Sequence, residues 1–535
     1  MLLLLLLLLI ASISLYIIVC RHRFSKLLQT PIHNPIDTSH RSARVVIVGS
    51  GICGITAAKT FVQYDYTHIT ILEASNEIGG VWRSDQYENA RLQGPFWLYE
   101  FADFPWPKDL VKGIISPGKA AVQEYIRRYA EKYNVFSNVD IKYGCRVKKA
   151  VRDTARSNWK ICTDSDEIIE ADILIMAIGN NSSSPIIPHI PNESNYRGQI
   201  VHSSEIGNGD ILKSTRNIAI VGGSKSAFDI GQMQPHKTTL IMRTPHYWTP
   251  RWLLLLPFFD RIAYSLFRGY RVNKSDRSLL IRVLDEIFMP LIAVGINRPQ
   301  SSSILDDIMN GGGLHVCTTS KQYCNAKRWK LEKSQPTEYT TNGLLLENGK
   351  EIEADVVVWG TGFQPTRAFQ EIFDGIDLQD TLNDGLYLYK YIYHPKLSNV
   401  YFLGFKDPSL NMPSNASIQS LWAMFCAAGI AQLPTRNDME EMINTRQQNT
   451  RQLFPFSHRR AYYDYFLGET RCDYSYTVDL LRDCKGVFDK RVASFWCHPA
   501  DMWASGSAFG AVFGAEIISD DEANDAGATD STSLV

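Results

Sequence analysis

The chain has 535 residues, which at about 150 residues per domain amounts to roughly three or four domain-sized units, large enough to bury a core without disulfide or metal staples. Hydrophobic residues make up 45% and charged residues 21%, values that exclude a largely disordered or fibrous protein. With 55 Lys and Arg against 56 Asp and Glu the formal net charge is −1, so the chain lacks the basic footprint that nucleic-acid binding relies on.

Met1–Cys20 (MLLLLLLLLIASISLYIIVC) carries no charged side chain and as a helix would match a hydrocarbon core of about 30 Å. Arg21, His22, Arg23 and Lys26 follow it. A cleaved secretory signal puts its positive charge before the apolar run, not after it. A retained single-pass anchor is therefore expected, in the endoplasmic reticulum membrane, with the rest of the chain cytosolic. Residues 21–43, with Pro31 and Pro35, read as a linker.

Arg44–Val48 is a β-branched run of the kind found in buried parallel strands. It leads into Gly49-Ser50-Gly51-Ile52-Cys53-Gly54 and then a helical pattern. In this G-x-G-x-x-G turn Gly49 permits the tight bend, Gly51 lets a pyrophosphate approach the backbone, and Gly54 allows close helix–strand packing. The helix start offers unpaired N–H groups to the phosphate. A second strand, His68–Leu72, ends at Glu73, about 20 residues past the last glycine, where an acid accepts ribose hydroxyls. Glu73 would also repel a 2′-phosphate, which favours FAD or NAD over NADP at this site. In Ile78-Gly79-Gly80-Val81-Trp82 the glycines let backbone approach a bulky ligand, and Trp82 is a candidate wall.

Asn217–Val221 leads into a degraded glycine loop, Gly222-Gly223-Ser224-Lys225-Ser226-Ala227-Phe228-Asp229, in which Ser224 and Ala227 replace the second and third glycines. The next strand, Thr239–Met242, ends in Arg243 rather than an acid. Lys225 and Arg243 together suit a 2′-phosphate and so NADP(H); the alternative is a pair of solvated surface cations. Two later stretches, Ala171–Gly179 and Ala354–Phe363, share an Ala-Asp start, an apolar run and a glycine turn. They are expected to return the chain twice to one sheet, leaving the segment between them as an insertion. His246-Tyr247-Trp248 reads as site lining or core. Arg251–Phe259 is apolar but too short to span a bilayer, and reads as an interfacial or a buried helix. The 10 cysteines include no C-x-x-C pair or zinc-type spacing; they read as thiols of a reducing compartment, with no metal site. The acidic tail from Ser519 reads as disordered.

One further stretch, Tyr196-Arg197-Gly198-Gln199-Ile200-Val201-His202-Ser203-Ser204-Glu205-Ile206, resembles the F-x-G-x-x-x-H-x-x-x fingerprint of flavin-containing monooxygenases, a group that includes Baeyer–Villiger and N-hydroxylating enzymes. Tyr196, Gly198 and His202 match, whereas Ile206 stands where the fingerprint closes with an aromatic residue. Gly80-Val81-Trp82, Arg91-Leu92-Gln93-Gly94-Pro95, Asp103-Phe104-Pro105-Trp106-Pro107, Gly360-Thr361-Gly362-Phe363 and Ile418–Ala423 are similar to the family as well, so the resemblance covers residues 44 to 430. His202-Ser203 is closer to the flavin-containing branch than to the Baeyer–Villiger one.

The resemblance implies an α/β architecture of two Rossmann-like dinucleotide-binding domains, the NADP domain inserted into the FAD domain, behind the N-terminal membrane helix. The expected boundaries are anchor 1–20, linker 21–43, FAD domain 44–180, NADP domain with helical insertion 181–335, FAD-domain return 336–450, helical region 451–518 and tail 519–535. It adds Gly94, Thr361 and Gly362 to the cofactor contacts and places Ser226 and Asp229 against NADP. NADPH would reduce FAD, O2 would form a C4a-(hydro)peroxyflavin, and one oxygen atom would pass to a lipophilic small molecule by N- or S-oxygenation or hydroxylation. His202 is the candidate functional histidine, coupling cofactor binding to closure, with a satisfied structural histidine as the alternative. Gln93 stands where animal members carry an asparagine near the flavin, and is a candidate polar contact to flavin or oxygen, or else a loop cap. Baeyer–Villiger oxidation of a ketone, an NADPH-dependent flavoprotein reductase and a non-enzymatic flavin redox sensor remain open. A disulfide reductase is disfavoured because Cys317 and Cys324 do not form an adjacent redox pair.

Overall fold

The computed structural model describes residues 38–250 and 330–453, apart from a few single positions and short loops, together with short pieces between 279 and 317 and Leu480. The Met1–Cys20 anchor, most of the linker, Tyr247, the Arg251–Phe259 run, the acidic tail and nearly all of 451–518 lie outside the described residues. Among the described residues no helix is long and apolar enough to cross a membrane.

Two parallel sheets organise the chain. Strands β1 (Arg44–Val48), β2 (His68–Leu72), β3 (Asp140–Lys142) and β4 (Ile173–Met176) belong to the first; β5 (Gln199–His202), β6 (Ile218–Val221), β7 (Thr238–Met242), β8 (Lys330–Lys333) and β9 (Val356–Trp359) form the second; β10 (Val400–Phe402) returns to the first. The first has the order β10-β4-β1-β2-β3 and the second β8-β7-β6-β9-β5. Each sheet has its switch point between β1 and β4, or between β6 and β9, and in such sheets ligands lie at the carboxyl ends of those strands. Val45, Val46 and Ile47 are at most 1% exposed, as covered parallel strands require. Helix α1 (Ile52–Gln63) is buried from Ile52 to Phe61, packed between the first sheet and a long helix at Met412–Ala427. Its buried threonines are satisfied locally: Thr56 Oγ1 donates to the Ile52 carbonyl at 2.7 Å and Thr60 Oγ1 to the Thr56 carbonyl at 2.8 Å.

Contrary to the expectation from sequence, the two Ala-Asp stretches do not enter one sheet; β4 joins the first and β9 the second. The physical reason is that each aspartate caps the strand that leads into the glycine loop of its own sheet. Asp172 accepts from the Arg44 amide at 2.8 Å and donates its own amide to the Arg44 carbonyl at 2.9 Å. Asp355 accepts from the Arg216 and Asn217 amides at 2.8 and 2.9 Å and donates to the Asn217 carbonyl at 2.9 Å. The stretches are equivalent positions in two copies of one design. Residues 336–353 form a three-stranded antiparallel sheet whose Tyr339, Leu344, Leu346 and Ile352 share a core with the second sheet, and the chain rejoins the first core at Phe369, Ile372 and Phe373 and through β10.

Candidate functional site

The glycines of the first loop lack side chains for different reasons. At Gly49 the backbone has φ +100°, and a methyl group would sit 2.6 Å from the Ala177 carbonyl oxygen. At Gly54 it would sit 1.9 Å from the Gly49 carbonyl oxygen. Both positions are dictated by the fold. Gly51 is not: its φ is −72°, and the nearest atom to an added methyl is Gly80 Cα at 3.5 Å, ordinary contact. Ile52 and Cys53 behind it are buried, and no side chain caps the start of α1, which leaves the role of N-terminal acceptor open to an anion.

Glu73, 5% exposed, lies beneath this loop. One carboxylate oxygen accepts from the Ser50 amide and hydroxyl at 2.7 and 2.6 Å, the other from the Ser75 amide and hydroxyl at 2.8 and 2.7 Å. Burial alone would raise its pKa, but these four bonds outweigh that and hold it below the ordinary glutamate value. Gly79 donates to the Ser50 carbonyl at 3.1 Å, and Gly80, at φ +59°, would bring a methyl to 3.1 Å from Gly51 Cα. Val81 is exposed. Trp82 is half-buried and donates Nε1–H to the Tyr99 hydroxyl at 3.0 Å. Gln93 and Gly94 are half-buried just after Leu92, whose amide donates to Pro117.

In the second loop Gly222 has φ +148°, and a methyl there would meet the Gly360 carbonyl oxygen at 2.3 Å, the counterpart of Gly49 against Ala177. The methyl of Ala227 is accommodated from across the gap, because residue 360 is glycine: a Cβ at 360 would lie 2.9 Å from that of Ala227. Lys225 is not a solvated cation. It is 15% exposed and ion-paired with Asp229, which is 1% exposed. Asp229 Oδ2 also accepts from the Tyr87 hydroxyl at 3.2 Å, and Ser226 hydrogen-bonds the same hydroxyl. Arg243 is exposed at the end of β7.

His202 ends β5 fully buried. The Ser204 amide donates to its Nδ1 at 3.2 Å, so the ring proton sits on Nε2, 3.1 Å from the Gly362 carbonyl. Burial depresses its pKa below the ordinary histidine value. Both ring nitrogens are thus engaged, Nδ1 with Ser204 and Nε2 with Gly362. Gly362 also accepts from the Ile186 amide at 2.9 Å, Gln364 donates to the Ser184 carbonyl at 2.9 Å, and Thr361 Oγ1 donates to the Ile186 carbonyl. The two covalent crossings between the units are thus paired with each other, and His202 is fastened to that pair.

Several residues escaped the sequence reading. Asn180 donates to the Gly404 carbonyl at 3.1 Å, and the Gly404 amide donates to Gln419 at 3.0 Å, drawing three distant segments together beside Cys53. Lys59 and Asp103 form a buried ion pair at 2.6 Å, 3% and 0% exposed; a lysine inside an otherwise apolar helix was the available signal. Tyr87 carried none. Among the described residues no His, Cys, Asp and Glu group could hold a metal ion.

The family model described as flavin-binding monooxygenase-like matches residues 42–249 and 330–481. The probable flavin-containing monooxygenase 1 of Arabidopsis thaliana is 24% identical over 488 residues, covering 78% of this chain and 89% of that protein. Cyclohexanone monooxygenase with bound ε-caprolactone shares the fold with a TM-score of 0.59 at 17% identity, over 83% of this chain and 99% of that one. S-allyl-L-cysteine S-oxygenase from Allium sativum does so with a TM-score of 0.56 at 17% identity, over 85% and 91%.

Proposed function

Because the chain belongs to the flavin-binding monooxygenase-like family, and is thereby a monooxygenase, we propose that it holds FAD at Gly49–Gly54 and NADPH at Gly222–Ala227. Its substrate in this reading is a lipophilic small molecule, oxygenated at nitrogen or sulfur or hydroxylated. The observation that carries the reading is Gly51. The protein itself has room for a side chain there, and a pyrophosphate lying against the backbone is what a side chain would obstruct.

The residues present fit both groups. Glu73, held ionised by Ser50 and Ser75, would accept ribose hydroxyls in exchange for serine hydroxyls, and the uncapped start of α1 would receive the pyrophosphate. Arg243 is the exposed cation for a 2′-phosphate, and Lys225 would share its charge between that phosphate and Asp229. The chemistry the bound cofactors supply is hydride transfer from NADPH to FAD and activation of O2, one oxygen atom going to the substrate and the other leaving as water. The chain binds, orients and excludes water: Trp82 and Tyr99 form an aromatic pair beside the first loop, and Gln93 is the proposed polar contact near the flavin. His202 holds the paired crossings and moves no proton. Met1–Cys20 is proposed to anchor the chain at the cytosolic face of the endoplasmic reticulum; its support is the uncharged run and the basic residues after it.

The test is direct. Purified protein should be yellow, consume NADPH well ahead of NADH, and couple that consumption to product for some member of a panel of amines, sulfides and ketones. Folded protein that takes up no flavin would refute the reading, and coupling with ketones alone would favour Baeyer–Villiger chemistry.

A further inference from the structure

The two units meet at a third place that is not a covalent crossing. Residues 83–90 leave the first unit, touch the second and return. Both roots of this finger rest on one residue: Lys119 donates through Nζ to the carbonyls of Ser84, at 2.7 Å, and Gln86, and through its amide to Ala90 at 3.0 Å. Just before the finger, Gln123 donates to the Ile78 carbonyl at 3.0 Å and Gly80 lies against Gly51; just after it come Gln93 and Gly94. The tip is seated in the second unit. The Glu88 amide donates to the Gly207 carbonyl at 3.1 Å, the Tyr87 ring packs on the core that contains Ile206 and Phe228, and the Tyr87 hydroxyl reaches Asp229 and Ser226.

We propose that this finger sets the register between the two glycine loops and that Tyr87 is a positioning residue for hydride transfer. The inference rests on the two-cofactor reading above. In that transfer a C–H bond of NADPH breaks, its hydrogen and two electrons form an N–H bond on FAD, and NADP+ and FADH− result. Such a step needs the reacting atoms within about 3–3.5 Å, and a 1 Å error can cost about a hundred-fold in rate. The chain of contacts from Gly51 through Gly80 and the finger to Tyr87, Asp229 and Lys225 is short and largely hydrogen-bonded at both ends, so slack at Tyr87 becomes misregister between the loops.

The experiment uses the full chain loaded with FAD, as wild type, Tyr87→Phe and Tyr87→Ala. NADP+ is titrated by calorimetry and by the flavin difference spectrum, and NADPH is mixed anaerobically to obtain the limiting rate of flavin reduction. Flavin content and melting temperature should hold in Tyr87→Phe and the NADP+ Kd should stay within about three-fold, while the difference spectrum at saturation falls by about half and the limiting rate by about ten-fold or more. Unchanged spectrum and rate in both variants would overturn the inference. So would a loss of NADP+ affinity in step with melting temperature, the mark of a merely structural residue. Wild-type protein that binds FAD but is neither bound by NADP+ nor reduced by NADPH would instead overturn the two-cofactor reading itself.

Discussion

At Gly51 an added methyl would find Gly80 Cα at 3.5 Å, and at Gly54 it would find the Gly49 carbonyl oxygen at 1.9 Å, so one substitution separates binding from folding. Gly51→Ala should cost about 1 kcal/mol at the start of α1 and leave a folded protein with FAD affinity at least about ten-fold weaker. Gly54→Ala should lower stability by about 3 kcal/mol or more, because strand and helix must part. Flavin content against melting temperature distinguishes the two. His202 permits a test by pH. Its folded pKa lies below the ordinary 6.5 because it is buried, and His394 is pushed down to about 4, chiefly by burial. The unfolded chain therefore binds more protons below pH 6.5. Stability from both neutral rings is complete above that value and is lost as pH falls below it, for His394 down to about 4. In thermal melts, His202→Gln should flatten this acid slope; an unchanged slope would mean that His202 titrates normally.

Among the elements, the second glycine loop shows how a degraded motif keeps its geometry. Ala227 carries the methyl that a third glycine would lack, and Gly360, at the end of β9, is bare where the two backbones meet. Gly360→Ala should cost about 1–3 kcal/mol by overpacking. Ala227→Gly alone should cost about 1 kcal/mol of helix propensity. The double substitution should cost less than the sum, since the two positions share one contact; additivity in denaturant unfolding would count against that contact. The buried Lys59–Asp103 pair ties α1 to the segment after Phe101 beneath a Lys59–Tyr133 ring contact of 4.6 Å. Lys59→Met alone should cost about 3–5 kcal/mol by leaving a buried charge uncompensated, and adding Asp103→Leu should recover much of that loss.

On the scale of the whole molecule, the units are joined where residues 184–186 pair with 362–364, and the finger at Tyr87 braces them elsewhere. If the paired crossings are a hinge built like a strand pair, the Ile186 and Gln364 amides should exchange hydrogen far more slowly than loop amides. Thr361→Val, which removes the bond to the Ile186 carbonyl, should speed their exchange while leaving β1 unchanged; exchange at loop rates in the wild type would exclude a hinge of this kind. The sequence alone determined both glycine loops, because a strand, a glycine turn and a helix are consecutive along the chain and each acts on its neighbours, with Glu73 ending the next strand after the first loop and Arg243 following the next strand after the second. Only the tertiary structure decided which sheet received β4 and which β9, since their sequences carry the same signature and differ in which distant amides Asp172 and Asp355 cap. It also decided what His202 and Tyr87 hydrogen-bond across the chain. Their partners lie 160 and 142 residues away, and a hydrogen bond across such a separation leaves no local pattern in either segment, because its geometry is set by how the two sheets pack and not by the residues beside it.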